Sequence, residues 1–369
     1  MTTPYPADRH LAEGPNPEPQ HEWVTATSVW WDGRMRGAAA LPLAGGVVDG
    51  GPVPVSEVPA SARRRTLPGT LVPGLADAHV HSALVDLPTV RAGGIAVVWD
   101  LGGNPRMVAR LRDRAARSHG SPRLPRMRIA GPFLTAPGGY PGGRVWAPAG
   151  SCREVRSVRD AAEAVGEVKA LGVDLAKVTA HAGGPMLPAK IFGALVEAAH
   201  DAGLRVVVHA EGPGTVEAAV EAAADLLAHT PWTHRQDDGL LRSAAGHGMG
   251  WISTLDIHGW GSPTAELGTA IDNLRRFLGH GGTVVYGTDL GNGPLVPGVN
   301  PREISAMQRA GLTPDDVLVA MTGDSAGAPP CWIPGGLDLE AAGFADVLAT
   351  ARVIGPEVRP RGSADMEDG

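Results

Sequence analysis

The pattern of apolar and polar residues changes close to Pro73 and divides the chain into two parts. From Trp23 to about Leu71, short extended runs such as 24–31 and 46–53 are interrupted by Gly and Pro. Such runs are typical of short β-strands. After Pro73, short apolar runs alternate with Ala-rich stretches of helical periodicity. The sequence therefore predicts a small β region followed by an α/β region.

Eight apolar runs in the second part have the length of buried strands, at 75–79, 95–101, 127–131, 175–179, 205–209, 226–229, 251–255 and 283–287. Helical stretches between and after them lie at 105–118, 158–171, 188–202, 214–223, 236–246, 262–279, 302–310 and 314–322. Apolar strands separated by helices indicate a parallel sheet whose outer face is covered. Eight such units favour a closed (β/α)8 barrel, the TIM barrel, over an open sheet.

The two ends of the chain complete the predicted organisation. Residues 1–20 and 356–369 are rich in Pro and charge and lack periodicity, so we predict disordered tails. The apolar segment 345–353 is predicted to be a strand that returns to the N-terminal β region. The result is a small β-sandwich domain, from 21–71 together with 330–355, and a barrel domain from 72–329.

Composition narrows the classes of function. Hydrophobic residues make up 43% of the 369 residues, enough for a large core, and the formal net charge of −7 argues against a nucleic-acid partner. No apolar run reaches the roughly 18 residues of a spanning helix, and the N-terminus lacks a signal-peptide pattern. Cys152 and Cys331 imply no disulfide framework. We expect a cytoplasmic protein with a small-molecule substrate, self-association into a homo-oligomer as a further option, and no nucleic-acid or membrane partner.

A histidine pair ends the first predicted strand of the barrel. His79 and His81 are two positions apart, so both imidazoles point to one face of the strand. Two imidazoles on one face could bind one divalent metal ion. Because His-x-His pairs also occur by chance, the pair alone does not decide between a ligand pair and two unrelated histidines.

Other residues that are costly to bury stand at further strand ends. They are His209 and His229 at the ends of the fifth and sixth strands, Lys177 inside the fourth, and Asp289 just after the eighth. The carboxyl ends of parallel barrel strands open on one face, which holds the active site. Such side chains are expensive to bury unless they are paired or bound to metal. The sequence therefore predicts that all six converge at one site.

Lys177 leaves two interpretations open. A lysine ammonium has no lone pair for a metal, but carbamylation by carbon dioxide would turn the amine into a carboxylate. That carboxylate could bridge two metal ions about 3.5–4 Å apart. Alternatively, Lys177 forms an ion pair with Asp174 or Asp289.

Several segments resemble the amidohydrolase superfamily, most closely its imidazolonepropionase-like and prolidase-like members. They are VPGLADAHVH at 72–81, GVDLAKV at 172–178, HAEG at 209–212, DLLAH at 225–229 and GTD at 287–289. The resemblance covers about residues 70–325. ADVL at 345–348 is similar to the returning strand of the family's small β domain.

The resemblance implies a role for each of the six positions. His79 and His81 would bind the more buried of two divalent metal ions, with Asp289 as a further ligand. Carboxylated Lys177 would bridge to a second ion held by His209 and His229. Asp289 would also be the catalytic residue that takes a proton from the bridging hydroxide and passes it to the leaving group. Zinc fits mixed His and carboxylate ligands best, while manganese, iron and cobalt stay open.

Five further residues are candidates for substrate binding. The stretch 132–156 is too long for an ordinary βα loop and contains Tyr140, Arg144 and Trp146, so it is either a substrate-binding loop or a covering loop. Many amidohydrolases have His where Tyr140 stands. His181 could face the substrate or orient Lys177. His258 could contact substrate or cap the next loop.

The predicted reaction is hydrolysis of an amide or cyclic amide bond, outside the class of peptide bonds, by a metal-bridging hydroxide. The same site could serve lactone hydrolysis, deamination or a non-hydrolytic step such as dehydration. A metal-binding protein without catalytic activity is the alternative from another class. The sequence does not identify the substrate, because loops rather than the fold determine specificity.

Overall fold

The computed structural model describes residues 21–117, 124–340 and 342–355. The predicted disordered tails, 1–20 and 356–369, lie outside the described residues. Cys152 and Cys331 are both unpaired cysteines, as the sequence analysis predicted. Within the described ranges, no helix combines the length and the apolar character that crossing a membrane requires.

The first part of the described chain is built from strands of two to eleven residues. Their bounds are β1 (His21–Trp31), β2 (Arg34–Arg36), β3 (Ala39–Ala44), β4 (Val47–Val48), β5 (Val53–Pro54) and β6 (Arg63–Val72). A 3-10 turn, Val55–Glu57, follows β5.

The second part alternates between strands and helices. The strands are β7 (Ala76–Val80), β8 (Val97–Asp100), β9 (Arg126–Ile129), β10 (Phe133–Thr135), β11 (Cys152–Glu154), β12 (Leu175–His181), β13 (Arg205–Glu211), β14 (Leu226–Leu227), β15 (Gly250–Ile252) and β16 (Thr283–Val285). The helices are α1 (Leu87–Ala92), α2 (Pro105–Arg117), α3 (Val158–Ala170), α4 (Ala189–Asp201), α5 (Thr215–Glu221), α6 (Asp238–Gly246), α7 (Ala265–Gly279), α8 (Pro301–Arg309) and α9 (Pro314–Thr322). Two further 3-10 turns are Ser82–Leu84 and Asp256–His258. The last elements of the described residues are β17 (Cys331–Pro334), α10 (Phe344–Leu348) and β18 (Arg352–Val353).

The strands of the second part are all parallel and lie in two sheets. One sheet has the order β7-β8-β9 and the other β11-β10-β12-β13-β14-β15-β16. Backbone hydrogen bonds connect the two sheets on both sides. On one side Asp174 N donates to Ile129 O at 2.9 Å, and on the other Ala78 N donates to Tyr286 O at 3.0 Å. Parallel pairing places the carboxyl ends of all these strands on the same side, as the α/β prediction requires.

The two ends of the described chain meet in one mixed sheet. Its order is β18-β17-β6-β1-β3-β4, with β2 beside β1 and β5 beside β3. The long strands β1 and β6 run parallel, and β17 pairs antiparallel with β6, so that Cys331 lies opposite Val72. The sheet therefore joins residues that are about 260 positions apart.

One predicted strand is wrong. Segment 345–353 was expected to be a returning strand, but its first four residues lie in the helix α10, and β18 occupies only its end, Arg352–Val353. Phe344, Ala345 and Leu348 are buried, and positions three and four apart share a face of a helix. The strand that returns to β6 is β17, which precedes α10.

The long stretch 132–156 contains two strands that the sequence analysis did not predict. β10 and β11 pair in parallel and extend the larger sheet at its edge. Three residues each give little periodicity, so such strands are hard to detect from sequence. The segment between them keeps the position that was expected of a loop on the carboxyl side of the strands.

Candidate metal centre

A cavity of about 280 Å³ lies where the parallel strands end. Its lining includes all six side chains that the sequence analysis selected: His79, His81, Lys177, His209, His229 and Asp289. All of them except His81 are buried. They come from β7, β12 and β13 and from the segments after β7, β14 and β16. The structure thus brings together residues that span more than 200 positions of sequence.

His79, His81 and Asp289 form the first candidate metal-binding group. Asp289 Oδ1 lies 3.1 Å from His79 Nε2 and 3.2 Å from His81 Nε2. Both imidazoles are oriented from behind by backbone carbonyls. His79 Nδ1 donates to Ala228 O at 2.8 Å, and His81 Nδ1 donates to Gly102 O at 3.0 Å. With Nδ1 of each ring bonded to a carbonyl, Nε2 of each ring points toward the Asp289 carboxylate.

The protonation of these imidazoles tests whether a metal fits. A neutral imidazole that donates through Nδ1 carries a lone pair on Nε2, so two lone pairs face the Asp289 oxygen and a positive charge is required between them. Burial holds the pKa of His79 well below its ordinary value. Burial also lowers the pKa of His81, but Asp289 outweighs it and the net pKa is raised. The charge can therefore come from a proton on His81 or from a divalent cation, which this donor set suits.

Asp289 stays ionised in this setting. Burial by itself would raise the pKa of Asp289, but its electrostatic interaction with His79 and its hydrogen bond with His81 hold that pKa well below its ordinary value. An ionised carboxylate beside imidazole nitrogens is a suitable ligand set for zinc.

The backbone around Asp289 is held in place by Asp77. Asp289 has a φ of 59°, in the left-handed region. Its neighbour Thr288 donates to Asp77 through N at 3.0 Å and through Oγ1 at 2.6 Å, and His79 N donates to the same carboxylate at 3.0 Å. A Cβ at Gly287 would come within 3.0 Å of His79 N, so glycine allows the close approach of the two segments.

Lys177 is fully buried between these ligands. Its Nζ has no hydrogen-bond partner among the described residues, and Asp174 accepts from Ile129 N instead, at 2.9 Å. Burial lowers the pKa of Lys177 to about 7, against the opposing charge of Asp289. A buried amine without a partner is costly, and a carboxylate formed on it would need a bound cation to offset its own buried charge.

His229 lies between the first group and His209. Its ring centroid is 4.6 Å from that of His79 and 5.1 Å from that of His209. His229 Nδ1 is hydrogen-bonded to Thr254 Oγ1 at 3.0 Å. Burial holds the pKa of His229 well below its ordinary value, so the ring is neutral and its other nitrogen can accept or coordinate.

Glu211 is a site residue that the sequence analysis missed. His209 Nε2 donates to Glu211 Oε2 at 3.1 Å, and His181 Nδ1 lies 3.1 Å from the same oxygen. These three side chains form a second group with metal-ligand spacing. The signal was present in the sequence, because His209 and Glu211 are two positions apart on one strand, as His79 and His81 are on another.

Tyr140 covers this second group. Its backbone carbonyl accepts Thr135 Oγ1 at 2.9 Å and Thr179 Oγ1 at 2.7 Å. The Tyr140 ring then stacks on His209, with centroids 4.5 Å apart, and lies 5.0 Å from His181. The predicted substrate-loop residue thus faces the cavity and is anchored from two strands.

The other two residues of the predicted loop differ in position. Trp146 lines the cavity, 5.9 Å from the ring of His81, and is 39% exposed. Arg144 is exposed and contacts the Tyr140 ring, with its guanidinium carbon 5.8 Å from the ring centroid, instead of lining the cavity.

His258 stands behind the cavity wall. Its ring stacks on Trp232 at 4.7 Å, and Trp232 lies 5.5 Å from His229. Burial lowers the pKa of His258 to about 4.

Asn292, which the sequence analysis also missed, lines the cavity and donates from Nδ2 to Asp289 Oδ2 at 2.8 Å.

No protein-family model and no curated protein sequence matches the chain. Its fold, however, is found in solved structures of hydrolases. A Xaa-Pro dipeptidase with bound methionine has a TM-score of 0.71 at 17% identity and covers 89% of this chain and 96% of that chain. Ochratoxinase from A. niger has a TM-score of 0.71 at 17% identity, with 90% and 92% covered. An amidohydrolase has a TM-score of 0.69 at 18% identity, with 89% and 94% covered.

These structural matches confirm the resemblance to the amidohydrolases at the level of the fold. They cover about nine tenths of the chain. Their low sequence identity carries no information about the substrate of this protein.

Proposed function

We propose that this protein is a metal-dependent amidohydrolase that cleaves an amide or cyclic amide C–N bond of a small molecule. The observation that carries the proposal is the convergence of two imidazole Nε2 atoms on one buried Asp289 oxygen, beside the amine of Lys177, which has no hydrogen-bond partner among the described residues. The likeness to a dipeptidase and an amidohydrolase agrees with C–N bond hydrolysis. Bonds other than peptide bonds remain our first choice, and dipeptides enter the test below.

The proposed scaffold is a closed (β/α)8 barrel at 72–329 with a small β domain from 21–71 and 330–355. The backbone hydrogen bonds that connect the two parallel sheets on both sides support closure. An isolated parallel bridge between Val80 and Leu290 adds to it on the side of β7. Closure would place every strand end around one mouth.

Two divalent ions, most suitably zinc, would be held by residues of this site. His79, His81 and Asp289 would hold one ion. Lys177, once carboxylated, would bridge to an ion held by His209 and His229. When bound, the ions would lower the pKa of a water molecule toward neutrality and polarise the scissile carbonyl.

The chain's own residues would orient substrate and move protons. Asp289 would take the proton of the attacking water at its carboxylate and deliver it to the leaving nitrogen as the C–N bond breaks. Asn292 Nδ2 would keep the carboxylate in position through its hydrogen bond to Oδ2. Tyr140 and Trp146 would close the cavity on the substrate, while Arg144, His181 and His258 would act from its edge or from behind it.

The decisive experiment combines metal analysis with a substrate panel. Protein stripped by a chelator and reconstituted with zinc and bicarbonate should hold two ions per chain. It should hydrolyse members of a panel of N-acyl amines, cyclic amides, Xaa-Pro dipeptides and lactones. Asp289→Asn should lower kcat by about 10²–10⁴-fold, whereas Asp272→Asn, on the exposed side of α7, should not. A protein that binds no transition metal, or an Asp289→Asn variant with full activity, would disprove the proposal.

A further inference from the structure

One side of the cavity is apolar. Phe133, Tyr140 and Trp146, here called the aromatic wall, line it together with Leu84. The three rings are in contact: Phe133 and Trp146 are nearly perpendicular with centroids 6.2 Å apart, and Tyr140 and Trp146 have centroids 6.0 Å apart. Such distances are those of interacting aromatic pairs.

The aromatic wall borders the first candidate metal-binding group directly. The ring of His81 lies 6.1 Å from Phe133 and 5.9 Å from Trp146. Phe133 is buried and fixed, because a Cβ at Gly102 would come within 2.5 Å of its ring. Gly102 O also accepts the hydrogen bond from His81 Nδ1. The same glycine therefore contacts both the aromatic wall and a proposed metal ligand.

Part of this apolar surface is left uncovered by the protein. Trp146 is 39% exposed and Leu84 is 44% exposed, although both line the cavity. A large apolar side chain that stays exposed in a concave site indicates a ligand surface rather than a packing surface. The wall itself carries no charged side chain.

We infer that the aromatic wall binds an aromatic ring next to the scissile bond, so that the preferred substrates are amides with an aryl substituent. The statement that the bound molecule is an amide substrate rests on the proposed function. The statement that an aromatic ring binds here rests on the aromatic wall alone. The cavity has room, because its volume of about 280 Å³ exceeds the roughly 150 Å³ in which an apolar protein cavity binds benzene.

Binding of a matched series of ligands to the metal-free protein tests this without catalysis. The series is benzamide, cyclohexanecarboxamide and acetamide, followed by NMR titration. We expect benzamide to bind at least tenfold more tightly than acetamide and severalfold more tightly than the cyclohexane compound. Trp146→Ala should reduce the preference for benzamide over acetamide about tenfold. Trp146→Leu, which keeps apolar surface, should reduce mainly the preference over the cyclohexane ring.

Met107→Ala is the matched control, because Met107 is also exposed but lies on α2 outside this cavity. It should leave all three affinities unchanged. Equal binding of benzamide and acetamide, or an unchanged preference in Trp146→Ala, would overturn the inference. If the preference holds in a protein that binds no metal and hydrolyses nothing, the ring-binding surface stands and the proposed function fails.

Discussion

At the scale of single residues, Glu211 determines which nitrogen of His209 can bind a metal. Its carboxylate accepts the hydrogen on His209 Nε2, so that Nδ1 keeps the lone pair. A carboxylate behind a ligating histidine typically changes metal affinity 10–100-fold. The pairing of His209 with Glu211 therefore concerns the second of the two proposed ions, and not the ion beside His79.

Replacing Glu211 tests this positioning role. Glu211→Ala should weaken binding of the second zinc equivalent about 10–100-fold and leave the first unchanged, because the first candidate group does not contact Glu211. Competition with a chromogenic chelator measures both affinities. Glu221→Ala, on the exposed end of α5, is the control. Equal second-site affinities in the variant and the parent protein would show that Glu211 does not support His209.

Lys177 makes a second prediction at this scale. Because burial lowers its pKa to about 7, a substantial fraction of the amine is neutral at pH 8 and can add to carbon dioxide. Incubation with 13C-labelled bicarbonate and zinc should give one carbamate signal per chain in the 13C NMR spectrum. Lys177→Arg should lack the signal, and Lys190→Arg, on the surface of α4, should keep it. A signal that persists in Lys177→Arg would exclude the bridging role.

At the scale of elements, periodic stretches were predictable and exceptions to periodicity were not. The helix at 265–279 shows apolar positions three and four apart, and each of the eight predicted strands overlaps an observed one. The site positions followed, because residues at the ends of parallel strands share one side of the sheet. The sequence did not predict the strands β10 and β11, which have only three residues each. It also predicted a strand around Ala345, where the residues suit a helix as well as a strand.

Tertiary contacts that no local pattern encodes explain the remaining omissions in the site. Asn292 lines the cavity because the chain turns at Asp289, where φ is positive. Trp232 lies in the loop after β14, and the path of this loop brings its ring to 5.5 Å from that of His229. Such residues carry no strand-end signature, so the sequence alone does not distinguish them from ordinary loop residues.

A buried carboxylate on α8 fixes the segment after β15. Glu303 accepts hydrogen bonds from Leu255 N at 2.9 Å and from Asp256 N at 2.7 Å. Burial nevertheless raises the pKa of Glu303 from 4.5 to about 7. Between pH 4.5 and about 7, Glu303 is therefore protonated in the folded protein and ionised in the unfolded chain. The free energy of unfolding should fall as pH rises through this window, because the folded state must then bury the charge.

Glu303→Gln should flatten this pH dependence. The parent protein should lose on the order of 3 kcal/mol more stability than the variant between pH 4.5 and pH 8, from the size of the pKa shift. Urea unfolding at several pH values measures the difference. Glu266→Gln, at the exposed start of α7, should behave like the parent. Identical pH dependence of the free energy of unfolding in Glu303→Gln and the parent would mean that ionisation of Glu303 does not destabilise the folded protein.

At the scale of the whole molecule, the sheet of the chain ends is connected to the parallel sheets by the core and by a partly buried polar contact. Trp30 of β1 belongs to the same hydrophobic cluster as Leu75 and Ala76 next to the site strand β7. Its Nε1 donates to Asp315 Oδ1 of α9 at 2.6 Å. Strand β1 is thereby attached to α9, whose Ala320 O accepts a hydrogen bond from Tyr286 N at 3.2 Å, three residues before Asp289. The stability of this sheet and the order of the site are therefore expected to change together.

Trp30→Phe removes that hydrogen bond and keeps an aromatic ring in the core. It should lower the free energy of unfolding by about 2 kcal/mol, since the acceptor is a carboxylate that would remain without its donor. Trp332→Phe is the matched control, because Trp332 Nε1 donates to Pro68 O at 2.9 Å in an exposed position, and should cost less than about 1 kcal/mol. Urea unfolding monitored by circular dichroism gives both values, and zinc stoichiometry reports on the site. If the exposed Trp332 variant loses as much stability as the buried one, the contact between Trp30 and Asp315 does not couple the two parts of the molecule.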